Sequence, residues 1–412
     1  MQYRRMPKSN IKLSALGYGC MRFPLTVAGL IDRNKATRQI KLAIDQGVNY
    51  IDTAYPYHFG ESESFLGDCI LSTDYRDKVY IASKLPCFLI RRKKAFQSIF
   101  NKQIKKLQVD YIDFYMLHAL TGSLWDKMVS LGVLNFLEEL RSSGKIHHVG
   151  FSFHGSHDDF LRIIDAYDWD FTQVQYNLLD VHFQAGEKGI EYAAKKGLAV
   201  FIMEPLRGGT LVTKVPKSVQ KIWDEADIKR TPADWALRWI LNNENVHVVL
   251  SGMNEDTHIT ENITAVSDAY ENSLSEKELG IIKDVMNEYD RLLKIKCTGC
   301  GYCMPCPAKI DIPAAFHAVN NLMFTKSVME IFGYMSIAGF KEEPAWTSDC
   351  IDCGKCEKAC PQNIEIREEF SKVRMYIERP IFKLITTYIL RPFWIKSRSC
   401  RKQSEQNEIK DN

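Results

Sequence analysis

No stretch of this chain reaches the roughly eighteen consecutive apolar residues that a membrane-spanning helix needs. A spanning segment is therefore not expected. The first glycine-bearing strand, Leu16-Gly17-Tyr18-Gly19-Cys20-Met21, lacks the G-x-G-x-x-G loop of a doubly wound dinucleotide fold, which leaves that fold only as an alternative. Met1-Gln2-Tyr3-Arg4-Arg5 runs into Met6-Pro7-Lys8-Ser9-Asn10 and not into an apolar segment, so no export signal is read and a cytoplasmic location is expected. A concentrated basic stripe is missing too: the net charge is +3 and both signs interleave through residues 1–370. Nucleic acid is excluded as a partner on that ground. Disorder is excluded for most of the chain by 45% hydrophobic and 11% aromatic residues.

What is abundant is cysteine, and it is clustered. Eight of the twelve fall in two runs: Cys297, Cys300, Cys303 and Cys306 before Pro307, then Cys350, Cys353, Cys356 and Cys360 before Pro361. The second run is C-x2-C-x2-C-x3-C-P, the spacing that wraps three thiolates around a four-iron cube and sends the fourth to a neighbouring cluster. The first has two residues before its Cys-Pro, one fewer than the second. Structural zinc would want two Cys pairs separated by a longer loop, and disulfides would want an oxidising compartment. Cys297, Cys300, Cys303 and Cys360 are therefore assigned to one 4Fe-4S cluster, and Cys350, Cys353, Cys356 and Cys306 to the other. Both halves resemble bacterial ferredoxins with two four-iron clusters. The remaining cysteines, Cys20, Cys69, Cys87 and Cys400, lie singly and read as small buried hydrophobes.

A ferredoxin does not need 412 residues, so a larger unit must lie upstream. Residues 1 to about 290 alternate short β-branched or aromatic runs with amphipathic helical stretches, the rhythm of βα units around a parallel sheet. Eight strands are expected: Leu16–Tyr18, Tyr50–Thr53, Val79–Ser83, Tyr111–Leu117, His148–Ser152, Phe171–Tyr176, Ala199–Glu204 and Val246–Ser251. Helical periodicity is clear over Lys35–Gln46, Leu134–Ser143 and Pro232–Asn242. The fold class is thus α/β, a (β/α)8 TIM barrel followed by a small α+β ferredoxin-like domain with a helical insertion over Ile312–Ala338. The expected domains are residues 1–292, 293–372, and a basic C-terminal helix and tail at 373–412.

At the carboxyl ends of the expected strands stand Asp52, Tyr57, Lys84 and His118, where barrel enzymes do their chemistry. Here the chain resembles the aldo-keto reductase superfamily, through Tyr50-Ile51-Asp52-Thr53-Ala54-Tyr55-Pro56-Tyr57, Gly60-Glu61-Ser62-Glu63, Ser83-Lys84 and Asp113-Phe114-Tyr115-Met116-Leu117-His118. The resemblance implies hydride chemistry on a small carbonyl or alcohol. A tyrosine near pKa 10 is a reluctant proton donor at neutral pH, so Lys84 is expected to lower the Tyr57 pKa, Asp52 to hold Lys84, and His118 to orient the substrate oxygen. It also implies NAD(P)H contacts from Ser152, Gln173, Glu261 and Asn262, while Arg207 in Met203-Glu204-Pro205-Leu206-Arg207-Gly208-Gly209 reads either as a contact to a pyrophosphate or other anion or as a salt-bridged surface residue. Phe153, Met203, Gly252, Met253 and His258 depart from the family at other nucleotide positions.

The function read from the chain is an iron-sulfur oxidoreductase whose clusters exchange electrons with a carrier such as ferredoxin or flavodoxin. Nicotinamide moves electrons in pairs and each cluster moves one, so a flavin is a further candidate cofactor. The alternative is an electron-transfer or docking protein with a catalytically idle barrel.

Overall fold

The computed structural model describes residues 1–213, 215–299, 301–339 and 343–391. Cys300, Cys400 and the greater part of the basic segment, residues 392–412, lie outside the described residues. Two compact units are present, one of Met1–Val212 with Glu225–Met286, the other of Thr213–Asp224 with the described residues from Asn287 onward.

The first unit opens with a hairpin that the strand reading did not include, β1 (Tyr3–Arg5) against β2 (Lys12–Ser14). Tyr3-Arg4-Arg5 and Lys12-Leu13-Ser14 are short and mostly polar, without the β-branched or aromatic run that marks the other strands. Eight parallel strands follow: β3 (Leu16–Gly19), β4 (Tyr50–Asp52), β5 (Tyr80–Leu85), β6 (Ile112–Leu120), β7 (Ile146–Phe153), β8 (Phe171–Gln175), β9 (Ala199–Met203) and β10 (Val246–Ser251). They close in the order β10-β3-β4-β5-β6-β7-β8-β9, the (β/α)8 barrel expected.

One end of the barrel is filled by aromatic rings. Tyr50 meets Phe114 edge-on at 5.2 Å, Phe114 meets Phe171 at 5.3 Å, and Phe171 stacks on Phe201 at 5.0 Å. Met6 and Leu13 of the hairpin complete this cluster. Glycine makes room for the rings: a Cβ on Gly150 would stand 2.6 Å from the Phe171 carbonyl oxygen and 2.7 Å from its ring. With that end sealed, polar side chains collect at the carboxyl ends of the strands.

Helices form where caps and apolar periodicity agree. Thr231 caps Pro232–Leu241 by accepting from Asp234 N at 3.2 Å, with Pro232 in the first turn, and Trp235, Leu237, Ile240 and Leu241 are buried. Lys94–Leu107 stops at Gln108, whose φ of 54° is left-handed.

In the second unit the insertion is helical but divided, as Ile312–Thr325 and Met329–Gly339. Lys326 at φ 55° ends the first helix, and Ser327 Oγ accepts from Met329 N at 3.3 Å to start the second. The unit consists of helices and turns; among the described residues it has no strand, where an α+β ferredoxin-like domain was expected. Its core gathers Ile295, Ile310, Phe316, Tyr334, Trp346 and Phe370. The buried Glu378 carboxylate accepts from Tyr334 Oη at 2.6 Å and from Thr347 N and Oγ1 at 2.8 Å, tying the segment before Cys350 to this core. Among the described residues no helix is long and apolar enough to cross a membrane.

Candidate active site and thiol-lined cavities

Asp52 ends β4, and Lys84 and His118 lie on β5 and β6, so three adjacent strands deliver three polar side chains to one end of the barrel. Lys84 Nζ donates to Asp52 Oδ1 at 2.5 Å and to the Thr53 carbonyl at 2.9 Å, with both partners of the ion pair buried. Tyr57 follows β4 in a short turn, and its ring lies with its centroid 5.0 Å from Lys84 Nζ and 6.0 Å from the His118 ring, edge to face. The Phe88 ring lies 5.7 Å from that of His118. Tyr55, the competing phenol, lies instead against Lys106, whose Nζ is 4.9 Å from its ring centroid.

Burial governs the protonation of this group. It raises the Asp52 carboxyl above the usual carboxylate range, against the pull of the Lys84 ammonium and a hydrogen bond from Gln173. His118 is held well below the usual imidazole value, by burial first and then by Lys84 and His154. The imidazole is therefore neutral. Tyr57 differs from the expectation that Lys84 lowers its pKa: burial first, then Asp52 and Glu204, hold the phenol well above its ordinary value, and Arg22 offsets only part of this. At neutral pH the phenol keeps its proton.

A second layer holds Lys84 in place. Gln103 Nε2 donates to the Lys84 carbonyl at 3.1 Å and to Glu63 Oε1 at 2.7 Å, while Ser83 Oγ donates to the same carboxyl oxygen at 2.7 Å. Sequence reading missed this layer. The available signal was Gln103, a polar residue on the inward face of the helix beside Phe96, Phe100 and Leu107. Glu204 and Arg22 were missed as well, and no spacing links either to Tyr57.

The residues expected to hold a nucleotide are dispersed in their contacts. Ser152 Oγ accepts from Ala119 N at 2.8 Å, and Gln173 faces Asp52 from β8. Asn262 donates to Ser251 Oγ at 3.0 Å, and Glu261 is exposed on the helix Asp256–Ser267. Arg207 is fully buried, its Nε 3.3 Å from Asp180 Oδ2, while its Nη1 and Nη2 make no hydrogen bond among the described residues. Asp180 in turn accepts from Gln175 and Asn177, both at 2.8 Å.

The cysteines of the second unit line two cavities. Cys306 shares one of about 200 Å³ with Cys350, Cys353 and Cys356. Cys360 shares a narrower one, of about 20 Å³, with Cys297 and Cys303. Cys303 and Ile312 border both. A mononuclear zinc site converges its donors on a point, whereas an iron-sulfur cube spreads its thiolates around a larger body. The donor chemistry of both cavities and the volume of the larger suit such a cluster.

Comparison with known proteins agrees with both halves. Residues 15–287 match the model of the Aldo/keto reductase family, and residues 296–365 match that of the 4Fe-4S dicluster domain. Aldo-keto reductase YhdN of Bacillus subtilis is 30% identical over 226 residues, which are 52% of this chain and 65% of that protein, so the chain spans just under two thirds of this relative. The NADH-specific methylglyoxal reductase of Escherichia coli is 24% identical, with 69% of this chain and 98% of the relative covered. In fold, the chain is similar to the holo form of aldo-keto reductase AKR11C1 from Bacillus halodurans, with a TM-score of 0.57 at 23% identity, covering 69% of this chain and 96% of that one. The closed barrel, the polar group at its strand ends and the matched residues lead to one assignment: this chain belongs to the aldo/keto reductase family, and with its 4Fe-4S dicluster domain it is an iron-sulfur oxidoreductase.

Proposed function

We propose that the barrel interconverts a small carbonyl compound and its alcohol, with Tyr57 as the proton donor to the developing alkoxide, and that the C-terminal clusters pass electrons to or from a carrier such as ferredoxin or flavodoxin. The observation that carries this reading is the buried Lys84–Asp52 pair at 2.5 Å with the Tyr57 and His118 rings beside it. Bound nicotinamide supplies hydride, and the clusters supply single electrons. The chain's own residues do the rest. Tyr57 offers a phenol that burial keeps protonated, and neutral His118 offers a ring N–H to the same substrate oxygen. Lys84 places a positive charge beside the oxygen as it becomes negative, and Asp52 keeps that ammonium in position.

For the nucleotide, NADH fits better than NADPH. The helix Asp256–Ser267 begins with Glu255 and Asp256, which pair with Lys35 at 2.8 Å and Arg38 at 3.0 Å. A ribose phosphate there would face two carboxylates whose cations are already engaged. Gly252, Met253 and His258 stand where the family resemblance implies Lys, Ser and Arg. Steady-state assays should give a kcat/KM for NADH at least about tenfold above that for NADPH, a difference of about 1.4 kcal/mol. Equal efficiencies would remove this assignment.

The ligand sets we propose are Cys297, Cys300, Cys303 and Cys360 for one 4Fe-4S cluster, and Cys350, Cys353, Cys356 and Cys306 for the other. The sharing of one cavity by Cys306 with Cys350, Cys353 and Cys356 supports this crossing. Cys306→Ala should reduce the iron of anaerobically purified protein from about eight to about four atoms per chain. Adding Cys350→Ala should take nothing further, because both thiols serve one cluster. Loss of all iron in the double variant would reverse the pairing. The domain limits 1–292, 293–372 and 373–412 and a cytoplasmic location belong to the same proposal. The step between paired and single electrons would be served by a flavin, and extraction of the denatured, anaerobically prepared protein should release one.

A further inference from the structure

The two thiol-lined cavities have different walls. Lys355 and Arg367 border the cavity of Cys306, Cys350, Cys353 and Cys356. Among the described residues no charged side chain borders that of Cys297, Cys303 and Cys360, whose wall includes Thr298, Ile312, Phe316, Gln362, Ile364 and Ile366. Among the described residues this is the largest chemical difference between two otherwise similar thiol sets.

Arg367 is fixed on the Cys353–Cys356 turn. Its Nη1 donates to the Asp352 carbonyl at 3.2 Å, and its Nε and Nη2 lie 2.9 and 2.7 Å from Glu357 Oε2. Gly354, with φ of 66°, sits directly beneath: a Cβ there would be 3.9 Å from the guanidinium carbon. The acids of this turn are Asp352 and Glu357. Arg367 neutralises Glu357 at close range, and Lys355 faces the same cavity.

Resting on the two-cluster reading above, we propose that Arg367 raises the reduction potential of the cluster on Cys306, Cys350, Cys353 and Cys356 above that of its neighbour, making this the site where electrons collect and leave. Reduction adds one negative charge to an already anionic thiolate-ligated centre, so a fixed cation on the wall favours it and an apolar wall opposes it. Exposure acts in the same direction at one ligand, Cys353, which is exposed, whereas Cys306, Cys350 and Cys356 are half-buried like Cys297, Cys303 and Cys360. One electron leaving the apolar-walled site and arriving at the Arg367 site oxidises the first and reduces the second by the same amount, with no proton or further reactant.

The test is a redox titration of anaerobically purified full-length protein followed by electron paramagnetic resonance, after iron analysis of the same samples. Wild type should give two separate one-electron midpoints. Arg367→Gln should lower the upper one by roughly tenfold in the reduction equilibrium, about 59 mV for one electron. Glu357→Gln should raise it, Arg367→Lys should hold it near wild type, and none should move the lower midpoint. The opposite signs separate charge from damage to the turn, which would displace both variants alike. Full iron with one shared midpoint, or with Arg367→Gln and Glu357→Gln shifting the same way or not at all, overturns the inference while leaving two clusters in place. Only about four irons in wild type overturns the two-cluster reading, and the inference with it.

Discussion

Tyr57→Phe is expected to lower carbonyl reduction by about 10²- to 10⁴-fold in kcat, the usual worth of a positioned general acid. The substitution removes one oxygen and leaves the ring, so the seat against Lys84 at 5.0 Å and His118 at 6.0 Å is kept. Stability should therefore change little, and substrate KM less than kcat. The pH dependence follows from the direction of the shift. Burial, Asp52 and Glu204 hold the phenol above its ordinary value, so the proton donor stays loaded through neutral pH and is lost only as the phenol ionises, beyond about pH 10. Reduction by wild type should be level from neutral pH to that limb and then fall; oxidation of the alcohol, which needs the phenolate as base, should rise over the same range. Carbonyl turnover that survives Tyr57→Phe would return the barrel to the idle-scaffold reading.

The barrel was legible because its signals are local and repeated. Each of β3 to β10 is a short β-branched or aromatic run, and the observed limits differ from the expected ones by at most three residues, as at Ile112–Leu120 against Tyr111–Leu117, and not at all at Val246–Ser251. The partnership of Asp52, Lys84 and His118 could be anticipated because adjacent strand ends in a closed barrel bring such residues together. The protonation of Tyr57 could not. It depends on Glu204 and Arg22, which approach from β9 and from beyond β3 and have no fixed spacing from Tyr57. Arg207 illustrates the same point: beside two glycines it reads either as an anion-binding group or as a salt-bridged residue, and only the fold brings Asp180 to 3.3 Å from its Nε. The cysteine runs lie at the other extreme. Their chemistry is written in spacing alone, whereas the helical wall around them depends on Lys326 and Ser327 dividing one apolar stretch into two helices.

Lys84→Met should destabilise the barrel unit by about 3–5 kcal/mol, because it strands one partner of a buried ion pair. The two side chains are 2% and 3% exposed, so solvent cannot replace the lost ammonium. With Lys84 gone, Asp52 keeps the hydrogen bond from Gln173 but loses the charge that offsets its burial, and its carboxyl pKa in the folded state rises further above the unfolded value. A carboxyl raised in this way binds its proton more tightly folded than unfolded, so the variant regains stability as pH falls and is weakest above the folded pKa. The deficit against wild type should therefore be largest at neutral pH and shrink towards about pH 4, near the ordinary carboxylate range. Lys84→Met combined with Asp52→Asn, which leaves no buried charge, should recover part of the loss. Activity should not return with it, since the double variant restores packing but not the positive charge beside the substrate oxygen. Denaturant titrations of the two variants at neutral and acid pH measure both effects. A Lys84→Met protein within about 0.5 kcal/mol of wild type at neutral pH would mean that water reaches Asp52, and the dry site on which the Tyr57 argument also depends would not exist.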